Sequence, residues 1–193
     1  MANSHKTSAF TLILLSQCAI LFLGLVLTYW LSPIHSEPTL DESIAIGYGV
    51  VLAIVTLIIF VAVYRLGGNF SAQLLIDIRR VTGLFIGYSW WQLLVVSCLA
   101  GVGEELLFRA FLQGWLTNYW GVGWAILVAS IVFGVLHYLS FAYFVSAFLM
   151  SIAFGLGYYL SGSLLMVIVW HGFYDLIALV VMVKYPSLIS ANK

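Results

Sequence analysis

The chain has 193 residues, of which 64% are hydrophobic and only 7% charged. A soluble domain carries about 25% charged residues; a chain this apolar has too little interior to hide its surface, so its solvent is lipid. Seven basic and seven acidic residues cancel, and no basic cluster mixed with aromatics is present, so nothing points to a nucleic-acid partner.

A membrane helix needs about 20 mainly apolar residues. The first candidate is Phe10–Leu31. It is too long for the apolar region of a cleaved signal, and no small-x-small site follows it, so it reads as a retained span. Ile44–Tyr64 is the second. Asn69–Tyr88 is mixed, with Gln73, Asp77, Arg79 and Arg80 among leucines and isoleucines. That pattern suits a helix lying in the interface, with a short re-entrant segment as the alternative. Trp91–Tyr119, Val122–Leu139, Phe141–Leu160 and Leu164–Val183 complete the set. The expected fold is all-α: one integral-membrane domain over 1–193, a polytopic bundle of about six transmembrane helices around a polar cavity. Trp30, Trp90, Trp91, Trp120 and Trp124 stand near span ends, as an interfacial belt does. Cys18 and Cys98 lie in apolar runs and read as small hydrophobes rather than a disulfide.

Six spans put both termini on one side. Lys6, Arg65, Arg79, Arg80, Lys184 and Lys193 then share a face, while the first loop holds Glu37, Asp41 and Glu42 and no cation. The positive-inside rule makes the cationic face cytoplasmic.

Six ionisable groups remain inside the spans: Glu104, Glu105, Arg109, His137, His171 and Asp175. A charge at the centre of a membrane helix costs about 2.5–3.5 kcal/mol on insertion scales. Glu105 and Arg109 are four apart and can pair on one helix face. Glu104 is turned about 100° away from Glu105 and is free to face something else. His171 and Asp175 are also four apart. At 1.5 Å per residue, Glu104 lies about 21 Å from the outer end of its span, His137 about 22 Å, and His171 and Asp175 roughly 11–17 Å. Polar groups from three helices in one band describe a site. Gly101, Gly103, Gly134, Gly155, Gly157 and Gly172 allow close helix packing around it.

A poorly solvated carboxylate can act as general base on water. A neighbouring histidine can relay the proton, and a second histidine with an Asp can stabilise an oxyanion. No serine elbow is present and neither cysteine adjoins a histidine, so covalent catalysis is disfavoured. Glu104, His137, His171 and Asp175 are also donors suited to a divalent metal such as zinc, though His-Glu-x-x-His is absent. No other cofactor is expected.

Glu104-Glu105-x-x-x-Arg109, Phe133-x-x-x-His137 and His171-x-x-x-Asp175 together resemble the motifs of the CPBP (Abi) family of intramembrane proteases, which includes the type II CAAX prenyl endopeptidases. The resemblance covers roughly residues 91–183, the catalytic core, and leaves 1–64 as two accessory spans. It implies Glu104 as base, His137 as its assistant, and His171 with Asp175 as oxyanion site. It also implies a peptide or lipidated-protein substrate among membrane lipids. Asp175 stands where the eukaryotic CAAX enzymes carry Asn, and an Asp can accept a proton or bind a metal. The resemblance leaves metal-dependent and metal-free mechanisms both open. The small chain suggests a prokaryotic inner membrane or an organellar membrane. Two other functions fit the buried groups: a non-catalytic membrane partner such as an immunity or scaffold protein, and a proton or ion transporter, which the lack of a broken helix pair disfavours.

Overall fold

In a computed structural model, residues 2–31 and 40–185 are described. Glu37 and Lys193, which enter the charge count above, lie outside them, as does the side chain of Lys6. The described chain is helical throughout: α1 Ala2–Leu31, α2 Glu42–Arg65, α3 Gly68–Phe85, α4 Trp90–Glu105, a π-helical segment Leu106–Gln113, α5 Gly114–Leu136, α6 Phe141–Ser161 and α7 Leu164–Lys184. The spans α6 and α7, with 21 residues each, are about 31 Å long, enough for a hydrocarbon core about 30 Å thick.

Among the described residues, five continuous stretches are long and apolar enough to cross a membrane. One of them, Trp90–Leu136, is 47 residues long and contains two crossings. At Gly121 the backbone leaves the helix, with φ 76° and ψ 163°. This is a conformation open to glycine and costly for other residues. The chain doubles back there. Phe108 and Phe133, 13 residues before and 12 after Gly121, meet with ring centroids 4.9 Å apart. Trp90–Tyr119 and the arm beyond Gly121 therefore form a helical hairpin, and the bundle crosses six times. The fourth span ends earlier than expected, at Leu136 rather than Leu139. His137 takes φ −97° and ψ 16° at the helix end, and Ser140 already caps α6 by accepting from Tyr143 N at 3.2 Å.

The helix ends carry their own polar partners. Asp41 caps α2 through Ser43 N at 2.9 Å, Ser89 and Gln92 form a capping box on α4, and Ser163 caps α7. Such caps satisfy amide groups that lipid cannot. The tryptophans expected in an interfacial belt, Trp30, Trp90, Trp91, Trp120 and Trp124, are all exposed on the bundle. Both cysteines are free.

The segment α3 is the amphipathic helix the sequence suggests. Its inner face is Ser71, Leu74 and Asp77, while Arg79 and Arg80 are exposed. It ends at Phe85, before Tyr88, because Ile86 turns extended and Gly87 takes φ 90°. Asp77 is not an interfacial charge but a buried one, 1% exposed. It accepts a short hydrogen bond from Ser140 Oγ, so α3 is fastened to the start of α6.

In the centre, α4 and α7 cross at two glycines. A Cβ on Gly101 would lie 2.8 Å from both N and Cα of Gly172. A side chain at Gly101 would block this approach, whereas at Gly172 the nearest atom to an added Cβ is Ser97 O at 3.2 Å. The crossing brings Glu104, one turn beyond Gly101, against His171, one residue before Gly172.

Candidate active site

Glu104 and Glu105 end α4, and the chain widens into the π-helical segment at Leu106. Such segments are rare in helices and frequent at functional sites. The sequence reading has a plain α-helix here. Glu105 and Arg109 are fully buried and paired, with Nε to Oε2 at 3.0 Å. Arg109 also donates from Nη1 and Nη2 to Ser151 Oγ on α6, each at 3.1 Å. Its guanidinium faces the rings of Phe133 and Phe154 at 5.7 and 5.8 Å. The other Glu105 oxygen, Oε1, takes a 2.7 Å bond from His171 Nδ1. Every side-chain nitrogen and oxygen of the Glu105–Arg109 pair has a partner, which is what makes a buried ion pair tolerable in an apolar bundle.

Glu104 is different. It is 7% exposed, and its Oε2 is shielded with no hydrogen-bond partner. Two imidazole nitrogens stand near it: His137 Nε2 at 3.7 Å and His171 Nε2 at 4.0 Å. Asp175 Oδ2 lies 3.5 Å from that same His171 nitrogen. The four residues read from the sequence as one site are thus brought together, from the end of α4, the end of α5 and the middle of α7.

The two histidines are held alike. His137 Nδ1 lies 2.8 Å from the Phe133 carbonyl, and its ring stacks on Phe133 at 4.2 Å and 20°. His171 stacks on Phe154 at 4.9 Å and 22°. In each, an acceptor on Nδ1 requires hydrogen there and leaves Nε2 as the working nitrogen. Both Nε2 atoms point to Glu104. The orientation of His171 is set by Glu105, whose carboxylate holds Nδ1, while Asp175 sits on the Nε2 side. No sequence signal marks that bond, since its partners are 66 residues apart.

The cluster opens into a chamber of about 380 Å³. Beyond the polar end its walls are mostly apolar side chains of α2, α3, α6 and α7, with Leu74, Ile78 and Phe85 of α3 closing one side. Among the described residues no group of three or more His, Cys, Asp or Glu side chains is arranged to hold one metal ion.

Residues 86–177 match the family model described as type II CAAX prenyl endopeptidase Rce1-like. The match starts just before α4, ends within α7 and contains Glu104, Glu105, Arg109, His137, His171 and Asp175. No curated protein and no solved structure matches the chain. The family match and the apolar helices agree on an integral membrane protein, and residues 86–177 are similar to the Rce1-like, type II CAAX prenyl endopeptidase family.

Proposed function

We propose that the protein hydrolyses a peptide bond of a membrane-associated, lipidated substrate, with Glu104 as general base. The unpartnered Oε2 of Glu104 between two imidazole Nε2 atoms carries this reading. Gaps of 3.5–4.0 Å are too long for direct hydrogen bonds and of the size that one bridging water spans. Glu104 takes a proton from that water as its oxygen attacks the amide carbon. His171 Nε2, when it carries a proton, donates to the developing oxyanion, with Asp175 Oδ2 3.5 Å from the same nitrogen. His137, held by Phe133, orients the water. The proton on Glu104 then passes to the amide nitrogen as the C–N bond breaks, leaving a new carboxyl and a new amine. Every step uses side chains of this chain, without a cofactor.

The same reading places both termini on the cytoplasmic face. Arg65, Arg79, Arg80 and Lys184 end up on one side of a six-crossing bundle. Lys184 bonds the Tyr88 carbonyl and lies 5.8 Å from the Trp90 ring centroid, joining the end of α7 to the start of α4.

The test is cleavage of quenched peptides, including a farnesylated one ending in a CAAX sequence, by metal-stripped wild type and Glu104→Gln in detergent. Cleavage by wild type alone is expected. Equal cleavage by both would overturn the role of Glu104. Activity that returns only on adding zinc, cobalt or manganese would replace the metal-free account.

A further inference from the structure

The helix α3 gives one face to the bundle and keeps the other free. Its inner side is Ser71, Leu74 and Asp77, and both of its ends lie at the end of the bundle where α2 stops and α4 begins. Helix residues three and four apart are neighbours. On the outer side, Ile76, Arg80 and Leu84 therefore form one row, with Arg79 beside Ile76. All four are exposed, as are Leu66 and Ile86 at the two ends of the helix.

Charge on this side is unbalanced. Among the described residues, Arg65, Arg79 and Arg80 are exposed and none of them forms an ion pair. The described carboxylates stand elsewhere. Asp41 and Glu42 are at the opposite end of α2, Asp77 is buried on the inner side of α3, and Glu104, Glu105 and Asp175 are in the candidate active site. The depth is interfacial, because Trp90 and Trp91, just beyond α3, are exposed as belt tryptophans are.

We propose that the outer face of α3 is a binding site for anionic phospholipid, with Arg79 and Arg80 holding headgroup phosphate and Ile76 and Leu84 lying against the acyl chains. An acidic peptide would answer the arginines alone. An anionic lipid answers both halves of the row, since apolar side chains of an interfacial helix enter the acyl boundary while long cationic ones reach the headgroups. Guanidinium also takes phosphate through two parallel hydrogen bonds. In a zwitterionic lipid the ammonium offsets the phosphate charge; an anionic headgroup leaves it for the arginines. The site has a structural consequence. Leu74, Ile78 and Phe85 of α3 wall the catalytic chamber, and Asp77 accepts from Ser140 on the inner side. Lipid bound outside and Ser140 inside hold that wall between them.

The experiment uses the full-length protein in nanodiscs of phosphatidylcholine, alone or mixed with phosphatidylglycerol. It needs no substrate, so its outcome is independent of the role of Glu104. Retained lipid is identified by native mass spectrometry, and amide hydrogen exchange is followed across residues 68–85. Wild type is expected to retain phosphatidylglycerol in preference to phosphatidylcholine, and the mixed nanodisc should slow exchange in that segment. One arginine at a membrane surface is worth roughly 5-fold in affinity. Arg79→Gln combined with Arg80→Gln should therefore lower the preference by about 25-fold and abolish the added protection. Both side chains are exposed and unpaired, so the unfolding temperature in detergent should not move. The double lysine variant should keep most of the preference, and raised salt should weaken it. Equal retention of the two lipids by wild type, or a preference that survives the double glutamine variant, overturns the site. So does protection by inorganic phosphate in detergent without lipid, which would make it a site for free anions.

Discussion

Glu104 and Glu105 are neighbours in the chain with the same side chain, and their surroundings could hardly differ more. Glu105 faces inward between α5, α6 and α7, has no exposed surface, and gives one oxygen to Arg109 and the other to His171. Glu104 faces the chamber, with an oxygen that nothing in the protein bonds. One carboxylate is a joint and the other is available for work. A helix turns about 100° per residue, so two adjacent acids are the shortest way to place one in each environment. The joint also serves the working residue, because His171 is fixed by Glu105 on Nδ1 and presents Nε2 to Glu104.

The comparison breaks most sharply at Glu104. Glu104→Gln keeps the size of the side chain and removes the proposed general base. Activity should fall by about 10²–10⁴-fold, the usual contribution of a positioned general base. Thermal unfolding in detergent should be unchanged or shifted upward, since an unpartnered carboxylate is lost. A variant that unfolds early would show Glu104 to be structural and erase the difference between the two acids.

Glu105→Gln should do the opposite. It leaves Arg109 as a buried charge without its counter-ion, a loss of about 3–5 kcal/mol. Here the unfolding temperature should drop first, and activity should follow because His171 loses the acceptor that orients it. Arg109→Lys is not expected to be mild. The guanidinium serves Glu105 and Ser151 at once, and a single ammonium cannot reproduce that fork. If Glu105→Gln proved stable but inactive, Glu105 would belong to the chemistry rather than to the joint.

Much of this contrast was readable before any coordinates. Spacing alone allowed Glu105–Arg109 and set Glu104 on another face, because a helix fixes neighbours three and four residues apart. The hydropathy pattern gave the spans, and the mixed polar pattern marked α3. What it could not carry were bonds between distant parts of the chain. Nothing local in Ser151 announces that it receives Arg109, and nothing in Glu105 announces His171. The π-helical segment was equally hidden, since Leu106–Gln113 has the composition of an ordinary membrane helix. Asp77 misled in the other direction. A carboxylate among arginines reads as a surface charge, and only the docking of α3 on Ser140 buries it.

Gly101 tests how closely the two environments must be held together. Gly101→Ala places a methyl 2.8 Å from the Gly172 backbone. The crossing of α4 and α7 must open, at about 1–3 kcal/mol for an overpacked contact. His171 would then move from both acids together. The expected result is a modest loss of stability with a larger loss of activity, measured on the same preparation. Equal losses would mean that the crossing serves folding alone.

The smallest effect is expected at Asp77, a third buried carboxylate and one that lies outside residues 86–177. Its partner Ser140 follows His137 by three residues and caps α6, so Asp77 steadies the loop that carries the imidazole without touching the site itself. Asp77→Asn keeps an oxygen to accept from Ser140 and should remain close to wild type. Asp77→Ala removes the acceptor and should cost about 1 kcal/mol, a typical net hydrogen bond. Its activity should fall only a few-fold, as the start of α6 loosens. The distinguishing measurement is the ratio between the two variants. If Asn fails as badly as Ala, the negative charge of Asp77 matters in its own right, and the molecule has a second working carboxylate in α3.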